Sequence, residues 1–474
     1  MSAKVFAAKN VVLSQVKSNH PTRFSQKISG PAVFKNALSP FLTDAENGAL
    51  YRVNNCKYGE KEAAEVLKAQ MESRKSATFD EIIRYQRLTG KRFISDKITH
   101  FQAAGCRFLR AFERCTSGLP SLISIDLGSN TGIANESYIF SRKTIDLIKI
   151  RYPNLEELNL QNWGFLNDND LDLLFRDFIR LHTFNVADVE GITLAGLQHL
   201  NPNLRNLNIS NCDDVVDAGL LHLTNSCPNL EALHIKGLRC SSLGLLEIIP
   251  RLQKLQKLFA SGTLIITSTL SSMVMRCPDI TTLDLSDCRV FADWSLLQGF
   301  SKLQSVDVSR TSFGDDHLGS LSACPNLQNL VMNGSEVTDA GLRHFKLFKE
   351  LKDLEIGGYF TDVGLRQLGL CPKLQRLRIG FGLLHDQAVQ GILEECPHLT
   401  SLVITDPEKR LQGAFFPSLV RCPRLKHLEI DGSASIEEKA LINFPESPEL
   451  QTLTIRYSRY RQISIEARIA DLAI

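Results

Sequence analysis

The sequence lacks the short motifs that mark the common enzyme classes. It contains no Gly-x-Ser-x-Gly nucleophile elbow, no Walker phosphate-binding loop, no dinucleotide-binding fingerprint and no His-Glu-x-x-His zinc motif. It also contains no Cys-x-x-Cys pair, which argues against a zinc ribbon and a thioredoxin-like redox site. These absences predict a protein that is not an enzyme and that carries no cofactor and no metal.

Long apolar runs and an excess of one charge are missing as well. No apolar run approaches the roughly 18 residues that a membrane-spanning helix needs, and the N-terminus has no compact apolar signal segment. The chain has 54 Lys and Arg against 52 Asp and Glu, so no global field attracts nucleic acid or an anionic membrane. We expect a soluble chain with no membrane span and no nucleic-acid partner, whose local surfaces choose its partners.

The dominant feature of the sequence is a repeat. The pattern Leu-x-x-Leu-x-Leu, with apolar substitutes, recurs fourteen times at intervals of 23 to 33 residues. A period of this size predicts a solenoid of stacked repeats. The first apolar position is occupied in turn by Leu122, Leu155, Leu181, Leu204, Leu230, Leu255, Ile280, Leu303, Leu327, Leu351, Leu374, Leu399, Leu425 and Leu450.

Each of these positions begins a predicted strand. Side chains alternate across a strand, so the next two apolar positions, such as Leu158 and Leu160, point to one face. Stacking joins these faces into a core that no repeat buries alone. We predict an α/β leucine-rich repeat solenoid, a horseshoe with parallel strands on its concave face and helices on its convex face. Its predicted parts are a flexible basic N-terminus (1–43), a helical N-terminal cap (44–118), about fourteen repeats (119–456) and a C-terminal cap (457–474).

Most of the twelve cysteines belong to the repeat. A thiol packs as a small hydrophobe and a proline ends the preceding helix, so the recurrent Cys-Pro pair predicts a buried, unpaired thiol. Such thiols indicate a reducing compartment, which favours a cytoplasmic location. Cys56, next to Lys57, lies outside the repeat and is either a reactive thiol or an ordinary free cysteine. The cysteines that precede a proline are Cys227, Cys277, Cys324, Cys371, Cys396 and Cys422.

A second signal lies between the strands, where an acidic residue stands three positions before an apolar one. We interpret these aspartates as helix N-caps, because a carboxylate accepts the unpaired amides of the first turn and suits the positive end of the helix. They are Asp168, Asp217, Asp293, Asp315, Asp339, Asp362 and Asp386.

These phrases resemble a known family. Val337-Thr-Asp-Ala-Gly-Leu342, Cys371-Pro-Lys-Leu374 and Leu204-Arg-Asn-Leu-Asn-Ile-Ser-Asn-Cys212 are similar to cysteine-containing leucine-rich repeats. That class occurs in F-box proteins, the substrate receptors of cullin-based ubiquitin ligases, and in bacterial effectors that imitate them. The resemblance covers about residues 119–456, although the turn cysteine is kept only at Cys212 and Cys288. It implies recognition of a protein by the concave face, with an N-terminal F-box that docks the ligase linker.

The N-terminal region departs from that family. An F-box usually opens with Leu-Pro and an acidic residue, and this opening is absent; the nearest stretch, 79–112, is either a degenerate F-box or a set of capping helices. Three helices are predicted here. The first covers residues 60–75, the second begins at the capping-box sequence Thr78-Phe-Asp-Glu81, and the third covers residues 95–115. Residues 1–43 hold six Lys or Arg and no acidic residue. They fit a flexible tail, an organelle transit peptide or the secretion signal of an effector delivered into a host cell.

The outward strand positions form the largest surface not committed to core or caps. We expect about fourteen strands to offer roughly 60 Å of concave face, enough for a protein interface. Phe259 is a candidate aromatic anchor, whereas Arg376 and Arg378 face Asp353 and Glu355 and fit cross-strand ion pairs equally well. The candidate partner-binding residues are His234, Phe259, Asp284, Asp307, Val331, Glu355, Arg376, Arg378, Val403 and Glu429.

The sequence therefore predicts non-catalytic protein–protein recognition. One hypothesis makes the chain the substrate receptor of a cullin-type ubiquitin ligase, with its N-terminal helices on the ligase linker. The alternative is a stand-alone interaction scaffold or a secreted bacterial effector without a ligase link.

Overall fold

The computed structural model describes residues 60–89, 91–102, 115–128, 138–288, 293–358, 360–380, 384–406, 410–432, 436, 440, 449–458 and 461–466. The chain divides into two compact units, Asn19–Asp214 and Val215–Ile474, whose boundary lies inside the predicted repeat region. The predictions about residues 1–43 and Cys56 concern residues outside the described ranges, as does much of the predicted C-terminal cap.

The first unit alternates short strands with helices, and its strands pair in parallel in chain order. Its helices are α1 (Glu60–Arg74), α2 (Phe79–Thr89), α3 (Tyr138–Arg151), α4 (Asp168–Asp177) and α5 (Leu194–Leu197). Its strands are β1 (Ser76–Thr78), β2 (His100–Gln102), β3 (Ser124–Asp126), β4 (Glu157–Asn159), β5 (Thr183–Asn185) and β6 (Asn206–Asn208).

The second unit repeats the same order. Its helices are α6 (Asp217–Ser226), α7 (Ser242–Ile248), α8 (Thr267–Arg276), α9 (Asp315–Leu321), α10 (Asp339–Leu342), α11 (Asp362–Arg366) and α12 (Asp386–Glu395). Shorter 3₁₀ turns stand at Ile249–Arg251, Trp294–Gly299, Arg343–Leu347, Gln367–Leu370 and Phe416–Arg421. Its strands are β7 (Ala232–His234), β8 (Lys257–Phe259), β9 (Thr282–Asp284), β10 (Ser305–Asp307), β11 (Asn329–Asn333), β12 (Asp353–Gly357), β13 (Arg376–Gly380), β14 (Ser401–Thr405), β15 (His427–Asp431), β16 (Thr452–Ser458) and β17 (Arg461–Glu466).

Strands β7 to β16 pair in parallel, and β17 lies antiparallel on β16 within the predicted C-terminal cap. The three apolar positions of all fourteen predicted repeats are buried, from Leu122, Ile125 and Leu127 to Leu450, Leu453 and Ile455. The predicted α/β leucine-rich repeat solenoid is therefore confirmed. Among the described residues, no helix has both the length and the apolar character needed to cross a bilayer.

The cysteines before proline are buried and free, as predicted. Cys227 and Leu223 are fully buried, and Leu220 is almost fully buried. Burial raises the pKa of the Cys227 thiol to about 12. Cys277, Cys324, Cys371 and Cys422 also donate to carbonyls of the preceding repeat: Cys324 Sγ, for example, lies 3.4 Å from the Leu297 oxygen. All six therefore pack in the core, these four also join two repeats, and a thiol whose pKa is raised by burial is a poor nucleophile.

The start of the chain differs from its prediction in one helix. Helices α1 and α2 are present, and Thr78 and Glu81 form the predicted capping box: the Glu81 amide lies 3.2 Å from Thr78 Oγ1, and the Thr78 amide 2.9 Å from Glu81 Oε2. The helix predicted over 95–115 is wrong, because residues 100–102 form β2, between β1 and β3. Ile98 and Phe101 are buried there at the spacing of the repeat's apolar positions.

Contrary to the prediction, most of the aspartates at the helix starts do not cap their own helix but bind the start of the helix in the next repeat. Asp293 caps its own turn, with the Ser295 amide 3.1 Å from its Oδ1, but the other six occupy the first helical position. Most of these carboxylates accept from the residue that caps the next helix. Asp339, for example, accepts from both the amide (3.0 Å) and the hydroxyl of Thr361. The same contacts join Asp168 to Thr193, Asp217 to Ser241 and Asp315 to Thr338.

Candidate functional site

The alternate, solvent-accessible residues of β7 to β16 form the surface that we call the strand face. Its central column is the row predicted from the sequence, and strand pairing places these residues at equivalent positions on successive strands. Arg376 and Arg378 are exposed, and the others are half-buried. In order, the column runs His234, Phe259, Asp284, Asp307, Val331, Glu355, Arg378, Val403 and Glu429.

An aromatic pair stands at the β7 end of this column. The rings of His234 and Phe259 are stacked, with centroids 4.1 Å apart and planes 7° from parallel. Burial lowers the pKa of the His234 imidazole; Asp284 acts in the opposite sense, and Lys257 lowers it further. The histidine is therefore neutral at pH 7 and extends the flat apolar surface of the phenyl ring.

Asp284 and Asp307 follow on the next two strands and have a local structural role. The amide of Ser286 lies 3.1 Å from Asp284 Oδ1, and the amide of Ser309 lies 2.8 Å from Asp307 Oδ1. These are Asx turns, in which a side-chain oxygen accepts from the backbone two residues on. In the first unit Asn159, Asn185 and Asn208 make the same bond.

The strands that end in an Asx turn are all short. Strands that end in one of these Asx residues have three residues, as do β7 and β8, which end in His234 and Phe259, whereas β11 to β15, with Val, Glu or Arg at the same position, have five. The sequence signal is an Asn or Asp at the last position of the strand, followed two positions later in most cases by a small residue. Our prediction of the outward row did not use it.

Charges at the other end of the strand face are paired across strands. Arg376 pairs with Asp353, Arg456 pairs with Glu429, and Arg378 Nε lies 3.4 Å from Glu355 Oε2. Glu355 also accepts from Asn333 Nδ2 at 2.6 Å. The cross-strand ion pairs expected for the two candidate arginines are therefore present, and their charge is already engaged.

Metal-binding groups do not cluster among the described residues of this surface. In the part of the chain that the structure describes, no group of three or more His, Cys, Asp or Glu side chains could hold a metal ion. What the strand face offers is an aromatic platform, two acidic residues and a field of paired charges.

Comparisons with known proteins add little about function. No model of a protein family matches the chain, and no curated protein matches its sequence. A solved structure of a Rad7 and Elc1 complex from yeast is 18% identical and has a TM-score of 0.48, over 66% of this chain and 82% of that one. An internalin (inlF) from Listeria monocytogenes is 16% identical, with a TM-score of 0.36 over 58% and 81% of the two chains. An internalin C2 from the same organism is 19% identical, with a TM-score of 0.34 over 50% and 91%.

Proposed function

We propose that the chain is a non-catalytic recognition protein that binds a partner protein on the strand face of its second unit. The observation that carries this proposal is the His234–Phe259 stack, an aromatic platform held half-exposed on a polar sheet. Aromatic residues are enriched among the side chains that dominate binding energy at protein interfaces. Parallel strands fix the positions of the neighbouring side chains, so the surface is formed before the partner arrives.

The ubiquitin-ligase form of this proposal needs the N-terminal region to bind a ligase linker. In residues 79–112, the stretch nearest to an F-box, β2 lies in the repeat's strand ladder. That stretch therefore gives the ligase role no specific support. A stand-alone interaction scaffold, or an effector without a ligase link, is the simpler form of the proposal.

The experiment captures the partner with the full-length chain by proximity labelling and measures its dissociation constant by titration. The double variant Phe259→Ala/Arg378→Glu removes the ring and reverses a charge on the strand face. We expect the affinity to fall by at least about tenfold, roughly 1.4 kcal/mol. Circular dichroism checks folding, because the new glutamate faces Glu355.

The control variant is Leu243→Ala/Met275→Ala on the helices α7 and α8, where both side chains are more than two-thirds exposed (71% and 72%). It removes comparable apolar surface away from the strand face and should leave the affinity within about twofold. Normal binding by the strand-face variant, combined with loss of binding in a chain that starts at residue 60 and keeps α1, α2, β1 and β2, would place recognition in residues 1–59.

A further inference from the structure

The aromatic stack stops abruptly along the strand face. His234 and Phe259 lie on neighbouring strands in register, and their 4.1 Å separation is close to the spacing of strands. The next residue in register with Phe259 is Asp284, whose side chain is much shorter than a ring. Among the described residues, His234 is the only ring in contact with Phe259. A third flat group would therefore stack on Phe259 directly above Asp284.

Asp284 and Asp307 are the acidic residues beneath that position. Unlike the other acidic residues of the strand face, they have no arginine partner on a neighbouring strand in the described part of the chain. The two residues are partners in the register of β9 and β10, where like charges repel. Neither forms an ion pair with any base in the described part of the chain, whereas Asp353, Glu355 and Glu429 each pair with an arginine.

The bases nearest to this pair form no ion pair with it. Lys257 lies on β8 opposite Thr282, two residues before Asp284, and Arg310, on which Asp307 acts only at longer range, forms its ion pair with Asp287. Burial raises the pKa of the Asp307 carboxyl, and repulsion from Asp284 and Glu355 adds to the rise. The free chain thus holds two negative charges together at a cost to its stability.

The turns do not require these charges. Asn159, Asn185 and Asn208 close the same Asx turn with a neutral amide. An acceptor oxygen is all that the turn uses, so the carboxylates at 284 and 307 need another explanation.

We propose that the aromatic–acidic surface, formed by His234, Phe259, Asp284 and Asp307, binds an arginine side chain of the partner protein. This inference rests on the proposed function and names the chemistry of its partner. The guanidinium stacks on Phe259 by cation–π contact and donates to the two carboxylates. Arginine fits better than lysine because its planar, weakly hydrated head both stacks and donates from several nitrogens.

The experiment selects peptides from a random library displayed on phage against the full-length chain, with elution by an excess of the free chain. Peptides that bind the wild-type chain but not the Phe259→Ala variant are mapped to this surface. We expect the mapped peptides to share an arginine. Replacing that arginine by citrulline, its neutral isostere, should lower the affinity at least tenfold, and replacing it by lysine should lower it several-fold.

The decisive variant is Asp284→Asn/Asp307→Asn, which keeps both turn oxygens and removes both charges. On this variant arginine and citrulline peptides should bind with affinities that differ by less than threefold. The matched control is Asp126→Asn in the first unit, where Asp126 makes the same Asx turn, with the Gly128 amide 2.9 Å from its Oδ1. On the control the tenfold preference for arginine should remain.

Three outcomes overturn the proposal in different ways. Mapped peptides without a basic residue would contradict the arginine site and leave recognition by the strand face standing. Binders that are all insensitive to Phe259→Ala would contradict the proposed function itself. An equal preference for arginine over citrulline on the wild-type chain and on Asp284→Asn/Asp307→Asn would show that the two carboxylates do not bind the guanidinium.

Discussion

At the scale of single residues, the carboxylate of one repeat fixes the helix start of the next. Asp339 accepts from the amide and hydroxyl of Thr361, and the first turn of α11 packs directly against it. A Cβ added to Gly364 would lie 1.9 Å from Asp339 Oδ1. The same close approach occurs at Gly244 against Asp217 and at Gly341 against Asp315. The glycine of the Thr-Asp-x-Gly-Leu phrase is therefore required by the neighbouring repeat.

Gly364→Ala should lower the free energy of unfolding by about 1–3 kcal/mol, because the new methyl group must displace the Asp339 carboxylate. Urea unfolding measures the change. Gly380→Ala is the control, since a Cβ there meets no atom within 4 Å, and its effect should stay within about 0.5 kcal/mol.

Asp339→Ala should itself cost about 1 kcal/mol through the lost hydrogen bonds to Thr361. It should also remove most of the penalty of Gly364→Ala, because the clashing group is gone. An equal cost of Gly364→Ala in both backgrounds would show that the contact is not its cause.

At the scale of elements, the short strands β9 and β10 end in Asx turns made by acidic residues. Asp307→Asn keeps the acceptor oxygen and removes repulsion from Asp284 and Glu355. We expect this substitution to stabilise the free chain at pH 7 by a few tenths to about 1 kcal/mol. The measurement is the urea midpoint at several pH values.

The pH dependence of this effect has a definite sign. The folded pKa of Asp307 is raised above its ordinary value of 3.8, so the folded chain binds a proton more readily than the unfolded chain. Its contribution is unfavourable above the folded pKa and is relieved as pH falls through that pKa toward 3.8. The advantage of the Asn variant should therefore be greatest at neutral pH and shrink on acidification. An advantage that grows on acidification would contradict this account.

At the scale of the whole molecule, the array of parallel strands begins before the predicted boundary at residue 119. Strands β1 and β2 continue the ladder of β3, and Phe101 is buried on β2. A solenoid needs its terminal repeats to cover the core of the next one.

A chain that starts at residue 119 should therefore expose the core side chains around Ile125 on β3, and it should lose solubility and cooperative unfolding. A chain that starts at residue 60 retains α1, α2, β1 and β2 and is the matched control. Soluble yield and thermal unfolding of the two distinguish the cases. Equal behaviour would mean that β1 and β2 do not act as a cap.

The period, the core and the strand positions all follow from the amino-acid sequence. An apolar triplet recurring in each repeat leaves few ways to bury Leu158 or Leu377 other than stacked strands. The same spacing was present in Ile98 and Phe101, but Phe108 and Phe112 also suggested a helix there, and periodicity alone does not separate the two for short segments. The capping box at Thr78 was predictable because both its residues lie within one turn.

The roles of the polar residues depend on tertiary contacts. The partner of Asp339 lies 22 residues away, on the next repeat, and becomes a neighbour only when the repeats stack. The stacking of His234 on Phe259, and the lack of an ion pair for Asp284 in the described part of the chain, likewise depend on which strands become neighbours and in what register. Burial of apolar residues follows a local periodicity, whereas hydrogen bonds and ion pairs need specific atoms within about 3–4 Å, and the register of stacked repeats supplies that proximity.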